Sequence, residues 1–259
     1  MSLVTTTTAG PVLTIELDRP QARNALSLEL CDAIVEAFGR AALDDEARVI
    51  VLAGAGPVFC SGADFAVVAG PQGVDFLSAF ESMLEAVATH PLPTIARIHG
   101  AALGGGLQLA TVCDFRVCAA DARLGIPSSR LGVVVNLENV ERLVELVGIA
   151  RAKEVLMTGR TFTGDDALHA GLVSEVCPPQ EIERATERLA LAVAELAPLS
   201  VRGAKRAIRA VTEERSVRKL NPQAALEVDA LVAEAYASDD LGEGLKAMTE
   251  KRPPDFRGS

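Results

Sequence analysis

The sequence predicts an α/β protein that ends in a purely helical portion. A ββα rhythm repeats along the chain up to about residue 177, and glycine-bearing turns join buried strands to apolar helices. Beyond Pro178-Pro179, the clearest boundary signal, only helix-like periodicity remains.

Taken in order, the N-terminal MSLVTTTTAG lacks the basic start and apolar core of a secretory signal and reads as a frayed leader. VLTIELD (12–18) alternates like a half-buried strand. Ser27 is placed to cap a helix whose inner face carries Leu30, Ala33, Ile34, Ala37 and Ala41. RVIVLAG (48–54) is a strand, and a glycine- and proline-bearing loop leads from it to a helix with Leu77, Phe80, Leu84 and Val87 on one stripe. PTIARIHG (93–100) is a buried strand by its apolar, β-branched composition, and GGGLQLA (104–110) opens the next helix. Val140, Leu143, Val144 and Val147 mark a further amphipathic helix. Thr163, with Asp166 three residues on, resembles a capping box, and Gly171 suits the C′ position before the strand LVSEV. Helices are then expected at roughly 180–197, 199–211, 222–237 and 240–251, with Pro198 and Pro222 as breaks.

Composition excludes several classes. A chain of 259 residues supports a large core, and a β/α body with a helical appendix fits as well as two separate domains. Apolar residues make up 49%, yet no window of about 18 consecutive apolar residues exists, so no membrane span is expected. Cys31, Cys60, Cys113, Cys118 and Cys177 form an odd, scattered set without CxxC pairs, which points to reduced thiols in a cytoplasmic protein. The net charge of −10 argues against a nucleic-acid partner. His90, His99 and His169 are dispersed, giving no support to a metal site or a Ser/His triad.

The chemistry sits in the glycine turns. Free N–H groups at a strand-to-helix turn, backed by the positive end of the helix dipole, favour a negative oxygen, and glycine lets a ligand approach closely. FCSGADF (59–65) follows the strand at 48–54 as a second turn of this kind. Two such donors converging on one carbonyl make an oxyanion hole. The triplet matches neither GxxxxGK[ST] nor GxGxxG, which disfavours nucleotide cradles. Cys60 lies beside this loop with no histidine near it in sequence and reads as a small buried thiol rather than a nucleophile.

The segments DRPQARNALS (18–27), FCSGAD (59–64), ALGGGLQLATVCDFRV (102–117) and RLVELVGIARAKEVLMTGRTFTGDDALHAGLVSEV (142–176), in this order, resemble the crotonase (enoyl-CoA hydratase/isomerase) superfamily from about Val12 to Phe256. The resemblance implies an α/β crotonase (ClpP-like) ββα superhelix. Residues 1–195 would form the ββα-repeat core, and 196–259 a C-terminal helical region that builds a homotrimer or hexamer. It also implies that the amides of Ala63 and Gly105 hold a thioester carbonyl and stabilise an enolate. The two hydratase glutamate positions fall on Gln108 and on Ser128 in LGIPSSRLG (124–132), and a third acid position used by some isomerases falls on Asn136. A neutral amide and an alcohol titrate nowhere near pH 7, so ordinary hydration is expected to be disabled.

For coenzyme A, bound as acyl-CoA ligand or substrate and not as a permanent cofactor, the matching positions are Arg19, Arg23, Ala25 and Leu26. Ala63, Asp64, Phe65, Gly105 and, in KAMTEKRPPDF (246–256), Lys251 complete them. The basic residues also suit a solvated surface, and Asp64 and Asp114 read as hydrogen-bonding anchors. Glu138 has two readings: a single base for isomerisation or hydrolysis, or an exposed first-turn residue favoured by the helix dipole. Three functions follow: an acyl-CoA binder with little or no hydratase activity; an active isomerase, hydrolase or hydratase using Glu138 or positioned water; and a scaffolding oligomer. The intact Ala63, Gly105 and Arg19–Leu26 elements speak against the last.

Overall fold

The computed structural model describes residues 2–68, 73–213 and 216–258. Its strands are β1 (Val4–Ala9), β2 (Val12–Leu17), β3 (Val49–Gly54), β4 (Thr94–Ile98), β5 (Ala101–Leu103), β6 (Phe115–Ala119), β7 (Arg123–Gly125) and β8 (Glu175–Cys177). Its helices are α1 (Leu28–Ala41), α2 (Phe65–Val68), α3 (Gly73–Thr89), α4 (Gly105–Thr111), α5 (Leu137–Thr158) and α6 (Gly164–His169), then α7 (Ile182–Ala194), α8 (Pro198–Glu213), α9 (Val217–Leu220), α10 (Pro222–Ala237) and α11 (Asp239–Glu250).

A mixed sheet runs in the order β1-β2-β3-β4-β6-β8, antiparallel between β1 and β2 and parallel from there on. All six residues of β3 are buried, which explains why VIVLAG shows no polar alternation: a parallel strand covered on both faces has no wet side. β5 and β7 form a separate two-stranded ribbon.

The first ten residues correct the expectation of a frayed leader. Val4 to Ala9 pair with β2 in full register, Val4 opposite Leu17 and Ala9 opposite Val12, and Gly10 turns the chain at φ +56°. Four β-branched threonines suit such an edge strand. Only Val4 among its residues is buried, so the apolar alternation that would announce a strand is missing.

Local signals explain most helices. The Ser27 hydroxyl accepts the Leu30 N–H at 3.3 Å and starts α1, which buries Leu30, Cys31, Ile34, Ala37, Phe38 and Ala41 and packs against α3. On α3 the buried stripe is Phe76, Phe80, Met83, Leu84 and Val87, with Leu77 half-buried at its margin. Thr163 caps α6 by accepting the Asp166 N–H at 3.4 Å and donating to the Asp166 carboxylate at 3.0 Å, and Gly171 follows at φ +76°. Within α5, Gly148 adopts φ 74° and ψ 165°, so the helix marked by Val140–Val147 ends at a kink and a second helical run continues to Thr158. The strand expected at LVSEV is confined to Glu175–Cys177, because Leu172 and Val173 are buried in the preceding turn.

The chain divides into two compact units, Met1–Leu124 with Phe162–Ile208, and Gly125–Thr161 with Arg209–Ser259. In the first, α7 lies against β2, β3, β4 and β6. In the second, α10 packs on α5, α9 and α11. All five cysteines are free and buried. Among the described residues no helix is long and apolar enough to cross a membrane.

Candidate functional site

Residues 23–26 act as a template for the loop that follows β3. The Arg23 carbonyl accepts the Ser61 N–H at 3.1 Å, Leu26 N–H donates to Gly62 O at 2.8 Å, and Asp64 N–H donates back to Leu26 O at 2.8 Å. Ala63 is thereby bridged in parallel to Leu26, and in such a ladder its own N–H faces away from that partner. On its other flank the loop meets β5: Cys60 N–H donates to Ala101 O at 3.0 Å, and Leu103 N–H donates to Cys60 O at 3.1 Å.

From Leu103 the chain turns through Gly104, at φ 53°, into α4. A Cβ on Gly106 would stand 2.4 Å from Cys60 O; one on Gly62 would stand 2.7 Å from Leu103 O and 3.5 Å from Gly105 N. The two turns therefore pack main chain against main chain, with room for hydrogen alone. Among the described residues neither the Ala63 nor the Gly105 amide donates a hydrogen bond. Two uncommitted amides on adjacent turns are the donor type that a developing oxyanion needs. The side-chain direction of Gly105 is closed by Phe80 Cε2 at 3.1 Å and Leu26 Cδ1 at 3.2 Å, so a larger residue there collides with the core first.

Gln108 sits one turn into α4, half-buried, its N–H bonded to Gly104 O at 3.1 Å. Its side-chain amide has no partner among the described residues. Cys60 is fully buried and donates its thiol to Asn24 O at 3.1 Å; burial pushes that thiol up to about 12, so it is no nucleophile. Arg19 and Asp64 brace each other at 2.8 Å, and the same Arg19 Nη1 donates to Ala25 O at 2.9 Å. Asp64 also accepts the Ala66 N–H at 3.2 Å in the turn where half-buried Phe65 opens α2. Arg23 is exposed, with φ 53°.

In the second unit, Ser128 begins a single 3-10 turn and its carbonyl accepts Leu131 and Val133 N–H groups at 2.9 and 3.0 Å. Asn136 is the N-cap of α5, its Oδ1 accepting the Asn139 N–H at 3.1 Å. Glu138, in the first turn of α5, is held by Arg218 Nε at 2.5 Å, and the terminal nitrogens of Arg218 fork onto Asp229 at 2.8 and 2.9 Å. Arg218 lies 80 residues further along the chain, and no local pattern announces it. Lys251 is exposed and caps α11 in the left-handed conformation, φ 54°.

The model of the enoyl-CoA hydratase/isomerase family matches residues 7–259. The chain belongs to this family. Among relatives, the Mycobacterium leprae protein named probable enoyl-CoA hydratase echA6 is 38% identical over 257 residues, covering 98% of each chain. The enoyl-CoA isomerase/hydratase fer4 of Mycosarcoma maydis is 35% identical over 93% of this chain and 91% of its own. Of solved structures, a methylmalonyl-CoA decarboxylase in complex with 2-nitronate-propionyl-CoA superposes with a TM-score of 0.90 at 26% identity, over 99% of both chains. An enoyl-CoA hydratase from Bacillus anthracis gives 0.77 at 33% identity, over 99% of this chain and 100% of that one. This enoyl-CoA hydratase/isomerase family member thus has the α/β crotonase fold, with a mixed sheet and a helical C-terminal region.

Proposed function

We propose that the protein binds acyl-CoA thioesters and hydrates enoyl-CoA weakly or not at all. One observation carries this reading: the uncommitted Ala63 and Gly105 amides stand beside a helix whose first full turn ends in Gln108, a neutral amide at a position where the family resemblance calls for a carboxylate. The thioester carbonyl oxygen accepts from both amides, which stabilise any negative charge that develops on it. Hydration further needs a base to take a proton from water and an acid to return one to the α-carbon. Neither Gln108 nor Ser128 can exchange a proton with water near neutral pH. Asn136 is committed to capping α5, and Glu138 to Arg218.

The coenzyme A moiety runs past Arg19, Arg23, Ala25 and Leu26. Arg19, already tied to Asp64 and Ala25, shapes this path, whereas exposed Arg23 is available to a phosphate. The protein assembles as a trimer or a pair of trimers through residues 196–259. On α10, Leu226 and Leu231 are 61 and 54% exposed, apolar surface that a second copy would cover. Calorimetric titration with butyryl-CoA against free coenzyme A tests the binding, the acylated form being expected to bind more tightly.

A second reading has its own support. Decarboxylation of a malonyl-type thioester releases carbon dioxide and leaves an enolate without any base removing an α-proton; with the enolate taking its proton from solvent water, an oxyanion hole lined by neutral groups can serve it. The TM-score of 0.90 with the methylmalonyl-CoA decarboxylase favours trying it. Release of carbon dioxide from methylmalonyl-CoA is the assay, and none above the uncatalysed rate leaves the binder reading alone.

A further inference from the structure

Asn24 is fully buried, and its backbone stands in the left-handed region at φ 53°, which asparagine tolerates better than most residues. Its Nδ2 lies 2.9 Å from Ala55 O, 2.9 Å from Val58 O and 3.2 Å from Phe59 O. An amide nitrogen has two protons, so three carbonyls share them and the loop after β3 is wound around one side-chain atom. At the other end of the same amide, Oδ1 accepts the Arg19 N–H at 3.0 Å, and the Asn24 carbonyl accepts the Cys60 thiol.

Gly54 makes the room for this knot. A Cβ on Gly54 would meet Phe59 O at 2.3 Å, Asn24 Nδ2 at 2.6 Å and Val58 O at 2.7 Å. Directly after Phe59 the chain enters Cys60–Asp64, the stretch held by Arg23 and Leu26 on one flank and by β5 on the other. Asn24 therefore fixes the entry of the loop, and Arg23 and Leu26 fix the exit.

We propose that Asn24 is a positioning residue for the Ala63 amide, so that preference for an acyl-CoA thioester over a carbonyl-free thioether depends on it. This rests on the acyl-CoA reading above. A variant at 24 must keep the left-handed backbone and lose the donor, which glycine does; aspartate would instead set carboxylate oxygens against three carbonyls.

Calorimetry compares butyryl-CoA with S-butyl-CoA, the thioether lacking the carbonyl oxygen, in wild type, Asn24→Gly and Gly54→Ala. Wild type is expected to prefer the thioester by about tenfold, the scale of one net hydrogen bond to a neutral carbonyl. Both variants are expected to lose most of that preference while holding thioether affinity within about twofold. The carbonyl stretch of bound, carbon-13-labelled butyryl-CoA should rise in both, because a less polarised carbonyl is stiffer. A purely structural role would lower the melting temperature and leave ratio and frequency unchanged in the folded protein, which overturns the proposal. If Asn24→Gly does not fold, Gly54→Ala decides by the same ratio. A wild type that binds neither ligand overturns the acyl-CoA reading and this inference with it, whereas thioester preference retained in the variants overturns the inference alone.

Discussion

Arg218 donates from Nε to Glu138 at 2.5 Å while its terminal nitrogens grip Asp229, so the acidic residue nearest Asn136 is one arm of a three-charge bridge. In the unit that contains it, this bridge ties α5 to α9 and α10. Glu138→Gln is expected to leave any residual turnover of crotonyl-CoA unchanged. The pair is 43 and 35% exposed, so its loss costs at most about 1 kcal/mol. Steady-state rates and a denaturant melt check this, and a large loss of turnover would move the base to Glu138.

Asp114 gives the opposite expectation. Its Oδ2 accepts Thr94 N–H at 2.7 Å, the Thr94 hydroxyl at 3.0 Å and Lys205 Nζ at 2.7 Å, joining β4, the start of β6 and α8. Asp114→Ala leaves the Thr94 amide and hydroxyl without this acceptor and the partly buried Lys205 ammonium with Leu92 O as its remaining one. A loss of about 3 kcal/mol is expected. Urea unfolding of the variant measures it, and a change under about 1 kcal/mol would contradict the anchoring role.

His90 sets an acid limit to stability. It is 4% exposed, stands edge-on to Phe38 at 5.5 Å and accepts the Leu92 N–H at 3.2 Å. Burial first, and the Lys205 charge after it, pull its pKa from 6.5 down to about 4. A group depressed on folding contributes fully above its unfolded pKa and loses that contribution as pH falls through the folded one. Stability should therefore decline between pH 6.5 and about 4. His90→Leu should flatten that limb in denaturant titrations run at each pH, and an unaltered slope would assign the acid limit elsewhere.

Local grammar made much of this architecture readable. Ser27, Thr163 and Gly171 announce helix ends through their own side chains or backbone freedom, and the glycine triplet announces the turn into α4. β1 escaped because its outward threonines carry no apolar alternation. The partners of the site are a different case. Arg218 meets Glu138 across 80 residues, and the Asn24 amide meets Phe59 across 35, and such pairings are products of the fold rather than of any window of sequence.

The exposed leucines of α10 lead to an assembly prediction. Light scattering should give a multiple of the 27.1 kDa chain mass, and Leu226→Glu with Leu231→Glu should shift it towards monomer. A stable wild-type monomer at micromolar concentration would contradict it.

If Ala63 and Gly105 hold the thioester carbonyl while Gln108 and Ser128 exchange no proton, binding survives where hydration fails. The most direct test is the rate of crotonyl-CoA hydration in wild type and in Gln108→Glu/Ser128→Glu, with butyryl-CoA affinity measured on both. Removing one acid–base group usually costs about 10²–10⁴-fold, so a chain lacking two should turn over at least that much more slowly than an ordinary hydratase while still binding butyryl-CoA saturably. The double variant should be faster than wild type. Wild-type turnover on the scale of ordinary hydratases, or no saturable binding of butyryl-CoA, would contradict the account.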